Sequence, residues 1–164
     1  MPAPTPDFFS PSLLLTLVFV ATLVLGLVLK FWLATRQIRH VAQHRQQVPA
    51  RFAPHIALTA HQKAADYTIA KNRFGLLEMA LGAAVLLGWT VLGGLDWLNQ
   101  LLLEAIGPGM PQQVALLASF ALISGLIDLP STLYQTFVLE QRFGFNQTTP
   151  RLWLADLLKS TLLS

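Results

Sequence analysis

The sequence contains no cysteine, and only 12% of its 164 residues are charged. Without cysteine there can be no disulfide framework, no thiolate zinc site and no cysteine nucleophile. Scarce charge combined with a hydrophobic fraction of 54% makes the chain too apolar for an ordinary soluble domain. The composition therefore predicts a membrane protein, in agreement with a mean hydropathy of +0.54.

Long uncharged runs predict an all-α fold, a polytopic membrane helical bundle with three full spans and the start of a fourth. Residues 12–29 alone form a run long enough to cross about 30 Å of hydrocarbon as a helix. The Pro-rich residues 1–11 are expected to be a disordered tip, and residues 12–164 one transmembrane region that continues in the natural protein. The expected spans cover about residues 12–34, 75–95, 113–139 and, incompletely, 151–164.

The basic residues are concentrated on one side of these spans. After the third span come Arg142 and Arg151, whereas residues 96–113 contain neither Lys nor Arg. The positive-inside rule therefore predicts an external N-terminus and a cytoplasmic loop at residues 35–74. No nucleic acid is expected as a partner, because the basic residues flank spans rather than alternate with exposed aromatics. Most of the 11 Lys and Arg residues lie between the first two spans: Arg36, Arg39, Arg45, Arg51, Lys63, Lys71 and Arg73.

The cytoplasmic loop contains HVAQH at residues 40–44, whose spacing suggests a metal site. His40 and His44 would share one helix face, because residues four apart are neighbours on a helix. However, the zinc-protease motif H-E-x-x-H requires a glutamate where this sequence has Val41, and a catalytic zinc requires three protein ligands. The pattern favours an interfacial helix facing lipid headgroups or a protein partner, and the roles of the two histidines stay open.

Two local signals indicate how the helices begin and bend. Thr59 and Gln62 have the spacing of a capping box, which predicts that a second helix begins there and leads into the second span. Pro130, which follows Asp128, falls inside the third span and is expected to kink it, because proline cannot donate a backbone hydrogen bond.

A distinctive motif, FVLEQRFGFNQTT, occupies residues 137–149. It ends an apolar helix and continues into an aromatic-glycine-aromatic turn around Gly144, where glycine can adopt backbone angles that other residues resist. Thr148 or Thr149 is expected to cap the next helix, with Pro150 in its first turn.

Taken together, three stretches resemble the N-terminal membrane region of the type I CAAX prenyl endopeptidases, a family of integral membrane zinc metallopeptidases. The resemblance covers about residues 30–164, and the first span is matched by hydropathy alone. The stretches are RQIRHVAQHRQQVPARF (36–52), HQKAADYTIAKNRFGLLE (61–78) and LPSTLYQTFVLEQRFGFNQTT (129–149), followed by Asp156 and Lys159.

This resemblance implies a membrane-embedded zinc metalloendopeptidase that encloses a large intramembrane chamber and cleaves membrane-associated or prenylated substrates. In the family, an H-E-x-x-H helix and a later glutamate bind the zinc, which polarises the scissile carbonyl and activates water. No H-E-x-x-H occurs in this sequence. The resemblance thus implies that the zinc ligands lie beyond Ser164, and that the chain alone has no catalytic or metal residue and no activity.

The resemblance also implies the partners and the location of the chain. The partners are the lipid bilayer, a C-terminal catalytic region of the same protein and a peptide or protein substrate. A bacterial inner membrane is the expected location.

Ionisable residues in or near the spans are candidates for chamber-lining or structural roles, because charge in lipid usually faces a bundle interior or a water-filled cavity. Asp128 and Glu140 are expected to face the chamber or to pair with a base such as Arg142. Interfacial solvation is the alternative for Glu140 and Arg142. The matched stretches add three more candidates: Asn146, Tyr67 and Lys71.

Two other functions remain open from the sequence. A non-catalytic membrane scaffold or partner-binding module would need no H-E-x-x-H motif. A transporter would be compatible with the Asp-Leu-Pro sequence at residues 128–130, although no inverted repeat supports it.

Overall fold

The computed structural model describes residues 10–163, which contain helices joined by short loops and no strand. This confirms the predicted all-α fold. Residues 1–9 of the predicted disordered tip lie outside the described residues, and the first helix begins at Pro11. The helices are α1 (Pro11–Gln43), α2 (Leu58–Thr90), α3 (Gly94–Ile106), α4 (Met110–Tyr134), a π-helical segment (Gln135–Glu140) and α5 (Pro150–Leu163).

Three helical stretches are long and apolar enough to cross a membrane: Pro11–Gln43, Leu58–Thr90 and Met110–Glu140. The 33 residues of α1 extend about 50 Å, well beyond the ~30 Å of a hydrocarbon core. The polar ends of α1 and α2 therefore project past the bilayer. Large apolar side chains such as Leu15 and Leu117 are 74% and 71% exposed, as expected for a surface that faces lipid.

α2 is the central helix, and it packs against α1, α3 and the π-helical segment. Its aromatic contacts with α4 follow antiparallel order. Phe74 lies 5.0 Å from Tyr134 between ring centroids, and Trp89 lies 5.2 Å from Phe120. The beginning of α2 and the end of α4 consequently lie at the same end of the bundle.

The starts of α1 and α2 differ in whether a side chain caps the helix. Ser10 caps α1 by accepting a hydrogen bond from the Leu13 backbone N–H at 3.3 Å, and Pro11 follows at the first helical position. The predicted capping box at the start of α2 is wrong, because α2 begins at Leu58 without a side-chain cap. The Gln62 amide instead donates to the Gln46 side chain at 3.1 Å, which links α2 to the preceding loop.

The segment predicted as an external loop, residues 96–113, contains most of helix α3. Leu98 faces inward and is only 3% exposed. Beside it, the buried Gln112 amide donates to the Asn99 side chain at 2.6 Å and fixes the α3–α4 corner. Gly93 precedes α3 with a φ of 79°, in the left-handed region that favours glycine.

Pro130 lies inside α4, as expected, and the helix continues past it. Its backbone cannot donate to the carbonyl of the preceding turn. One turn later the chain changes to the π-helical segment Gln135–Glu140. Such wider turns are uncommon and often occur near functional positions.

Candidate functional site

Polar and aromatic residues gather at the end of the bundle where α2 begins and the π-helical segment ends. Four of the six candidate residues lie there, namely Tyr67, Lys71, Arg142 and Asn146. Glu140 lies beside them at the end of the π-helical segment, and its carbonyl accepts the Phe145 N–H at 2.9 Å. Asp128 lies outside this region, at an earlier position in α4.

The centre of this region is an aromatic clamp formed by Tyr67, Phe143 and Phe145. The Tyr67 ring centroid lies 5.4 Å from that of Phe143, in an edge-on arrangement, and 4.7 Å from that of Phe145. Two lysines border the clamp, since Lys63 Nζ lies 5.8 Å from the Phe145 ring and Lys71 Nζ lies 5.6 Å from the Tyr67 ring. The clamp thus fixes the turn at residues 141–149 against α2, with cations beside the ring faces.

The turn has the local geometry that its sequence predicted. Gly144 adopts a φ of 71°, and its N–H donates to the Gln141 carbonyl at 3.0 Å. Asn146 Oδ1 accepts the Thr148 N–H at 2.7 Å, the pattern of a turn closed by a side chain. Thr149 Oγ1 accepts the Leu152 N–H at 3.3 Å, and α5 begins at Pro150. The predicted threonine cap is confirmed.

A forked ion pair joins the turn that follows α1 to α2. Arg45 Nε and Nη2 donate to the two carboxylate oxygens of Asp66 at 2.7 and 2.8 Å. The hydrogen bond to Asp66 and its negative charge raise the pKa of Arg45. This is the one salt bridge found among residues 10–163. The sequence offered no signal for it, because the partners are far apart and nothing local distinguishes them.

The HVAQH histidines are used in helix contacts. The His40 and His44 rings lie 4.2 Å apart between centroids, and His44 Nδ1 lies 2.8 Å from the His40 carbonyl. His61 Nε2 lies 3.1 Å from the His44 carbonyl, so one nitrogen of each of these two rings is engaged by backbone. Over residues 10–163 no group of three or more His, Cys, Asp or Glu side chains could hold a metal ion. The described residues therefore do not fit a zinc site.

Two carboxylates in helices long and apolar enough to span a membrane line one cavity between α2 and α4. Glu78 and Asp128 both border this space of about 390 Å³, together with the hydroxyl side chains of Ser131 and Thr132. Within the described part of the chain, neither Asp128 nor Glu140 forms a salt bridge with Arg142. The Arg142 guanidinium instead lies 6.0 Å from the Phe143 ring and borders a different cavity.

Comparison with known proteins connects this arrangement to a family. The family model described as "CAAX prenyl protease N-terminal, five membrane helices" matches residues 37–164. The chain is 28% identical over 145 residues to the probable CAAX prenyl protease 1 of Schizosaccharomyces pombe, covering 80% of this chain and 30% of that protein. It is 29% identical over 161 residues to the human CAAX prenyl protease 1 homolog, covering 90% of this chain and 33% of that protein.

Among solved structures, the chain is similar to the crystal structure of Ste24p from S. mikatae. The TM-score is 0.79 with 26% sequence identity, and the similarity covers 90% of this chain and 35% of that chain. The chain therefore spans about a third of the length of the relatives that it matches.

Proposed function

Because the chain belongs to the CAAX prenyl protease N-terminal family, we propose that it is the N-terminal transmembrane part of a membrane-embedded zinc metalloendopeptidase. The substrates of this protease are membrane-associated or prenylated chains with CAAX-type ends. The relatives from S. pombe and human support the reaction class, since both are named as CAAX prenyl protease 1. The similarity to Ste24p at a TM-score of 0.79 carries the proposal, because it extends over 90% of this chain.

In this proposal the chain forms part of the chamber wall and positions the helix that follows it, but it contributes no catalytic or zinc-binding residue. When bound, zinc would polarise the scissile carbonyl and activate a water molecule. The described residues contain no set that could hold it, so we assign the zinc ligands to the rest of the protein and expect this chain alone to be inactive. The aromatic clamp sets the direction in which the chain enters α5. The cavity bordered by Glu78 and Asp128 places polar groups inside the bundle, where a chamber wall needs them.

The chain is an integral, multi-pass membrane protein. We propose an external N-terminus with residues 35–74 in the cytoplasm, based on the distribution of Lys and Arg. The relatives named above come from eukaryotes, so they give no support to the bacterial inner membrane expected from the sequence.

The test is to isolate the native product from its own membranes with an antibody against the loop that follows α1, and to assay it. We expect a mass well above 18.1 kDa, peptides containing H-E-x-x-H, and cleavage of a farnesylated peptide with a CAAX end. Ortho-phenanthroline should abolish cleavage and added zinc should restore it, whereas the non-chelating meta isomer should have no effect. A native mass near 18.1 kDa without cleavage would instead support the non-catalytic scaffold.

A matched peptide without the farnesyl group tests the substrate class separately. Cleavage of the farnesylated peptide alone supports a prenylated substrate. Equal cleavage of both peptides would keep the protease assignment and overturn the preference for prenylated chains.

A further inference from the structure

Two arginines from different helical segments border one cavity at the polar end of the bundle. Arg73 of α2 and Arg142, which follows the π-helical segment, line a space of about 360 Å³. The other residues that line it are Asp66, Ile69, Ala70 and Phe143.

The charge around this cavity is unbalanced. Asp66 is the one acid that lines it, and both of its carboxylate oxygens accept hydrogen bonds from Arg45 at 2.7 and 2.8 Å. Within residues 10–163, neither Arg73 nor Arg142 forms a salt bridge. The Arg45–Asp66 pair is neutral as a unit, so the two guanidinium groups leave the cavity with an excess of positive charge. This arrangement favours an anion between them.

The position of the arginines along their helices indicates the source of the anion. Arg73 directly precedes the apolar part of α2, and Arg142 follows the last π-helical residue, Glu140, by two positions. Because α2 and α4 run antiparallel, both arginines lie where the apolar part of a helix gives way to polar residues at the same end of the bundle. That is the depth of the lipid headgroups in a bilayer. Both side chains are exposed, so a lipid can reach them.

We propose that Arg73 and Arg142 bind the phosphate of an anionic phospholipid at this end of α2 and α4. The forked donor geometry of guanidinium matches phosphate oxygens. Phe143 and Ile69 give the cavity an apolar wall for the part of the lipid below the phosphate. This site does not depend on protease activity, because it is formed entirely by the residues described above.

The test is native mass spectrometry of the full chain in detergent, titrated with dioleoyl-phosphatidylglycerol. We expect one adduct to form more tightly than the corresponding dioleoyl-phosphatidylcholine adduct. R73Q/R142Q should weaken it by between about fivefold and thirtyfold, because each basic residue at a membrane surface contributes roughly a fivefold attraction to anionic lipid. The matched control R51Q/R151Q also removes two exposed arginines but leaves the cavity intact, and it should retain the adduct.

A second pair of variants keeps both cavity arginines. R45Q frees the Asp66 carboxylate to compete for them, so it should weaken the lipid adduct although neither lipid-binding residue is changed. R45Q/D66N removes the competing charge and should restore the adduct. Circular dichroism checks that each variant retains the helix content of the parent chain.

Several outcomes would overturn the site. They are retention of the adduct by R73Q/R142Q, equal loss of the adduct in R51Q/R151Q, and no effect of R45Q. Equal affinity for phosphatidylcholine would exclude selection of an anionic lipid. Complete displacement of phosphatidylglycerol by inorganic phosphate would show that the cavity takes free phosphate and not a lipid.

Discussion

Tyr67 of α2 and Phe145 of the turn that precedes α5 lie with their ring centroids 4.7 Å apart. The contact joins the first part of α2 to the turn that follows α4 and its π-helical continuation. It therefore determines where the chain goes after the third span. Few side chains among the described residues are buried, so aromatic contacts of this kind contribute much of the tertiary specificity of the bundle.

Replacing Tyr67 by Ala should destabilise the chain by about 2 kcal/mol, because the half-buried ring makes two aromatic contacts, each contributing roughly 0.5–1.5 kcal/mol. The measurement is unfolding in mixed detergent micelles with increasing dodecyl sulfate, followed by circular dichroism. Tyr67→Phe keeps both ring contacts and should stay within about 0.5 kcal/mol of the parent. Equal losses for the two variants would show that the hydroxyl, and not the ring packing, matters.

Replacing Gly144 by Ala should cost about 1 kcal/mol, since its φ of 71° is unfavourable for a residue with a Cβ. The added Cβ would lie 3.5 Å from Lys63 Nζ, an ordinary contact, so the cost comes from the backbone. The matched control is Gly75→Ala within α2, where a Cβ meets nothing within 4 Å. That change should stabilise the chain by roughly 0.5–1 kcal/mol, because alanine favours a helix. The same detergent titration measures both, and a stabilising Gly144→Ala would contradict the proposed turn.

The sequence predicted the features that depend on local pattern. The three spans follow from uncharged runs, and the start of α5 follows from the hydroxyl of Thr149 next to Pro150. The turn around Gly144 was also predicted, because glycine can adopt the φ of 71° found there, whereas the turn closed by the Asn146 side chain was not predicted. Tyr67 was selected only through the family resemblance, and its contact with Phe145 was not predicted.

The features that were missed depend on distant parts of the chain. Helix α3 was interpreted as part of a loop because it lies between two long uncharged runs, and the inward packing of Leu98 depends on helices outside the segment. The Thr59–Gln62 capping box was wrong because Gln62 has a better partner in Gln46, across the loop. The sequence around a common polar residue does not indicate which distant residue it will contact.

Breaking the Arg45–Asp66 pair should loosen the connection between α1 and α2. Arg45→Gln or Asp66→Asn should make the 44–57 loop more susceptible to proteinase K. Arg45→Gln removes both donors of the forked interaction, and Asp66→Asn removes its negative charge and one of its two acceptor oxygens. The charge-swapped double variant, Arg45→Asp with Asp66→Arg, should recover part of the protection. The two side chains are 36% and 42% exposed, so salt can reach the pair and the effect should shrink as salt is raised. Equal protection in all four chains would show that the ion pair contributes nothing to the connection.

The direction in which the spans cross the membrane can be tested with introduced cysteines, because the chain has none of its own. Ala105 lies on α3 between the second and third spans, whereas Gln47 and Gln147 lie on the loops at the opposite end, and all three are exposed. A membrane-impermeant maleimide should label Ala105→Cys in intact cells. It should label Gln47→Cys and Gln147→Cys only after permeabilisation, because the loops rich in Lys and Arg stay in the cytoplasm. The reverse labelling pattern would show that the N-terminus is cytoplasmic and that the aromatic clamp is external. Labelling of positions 47 and 105 from the same side would show that α2 does not cross it.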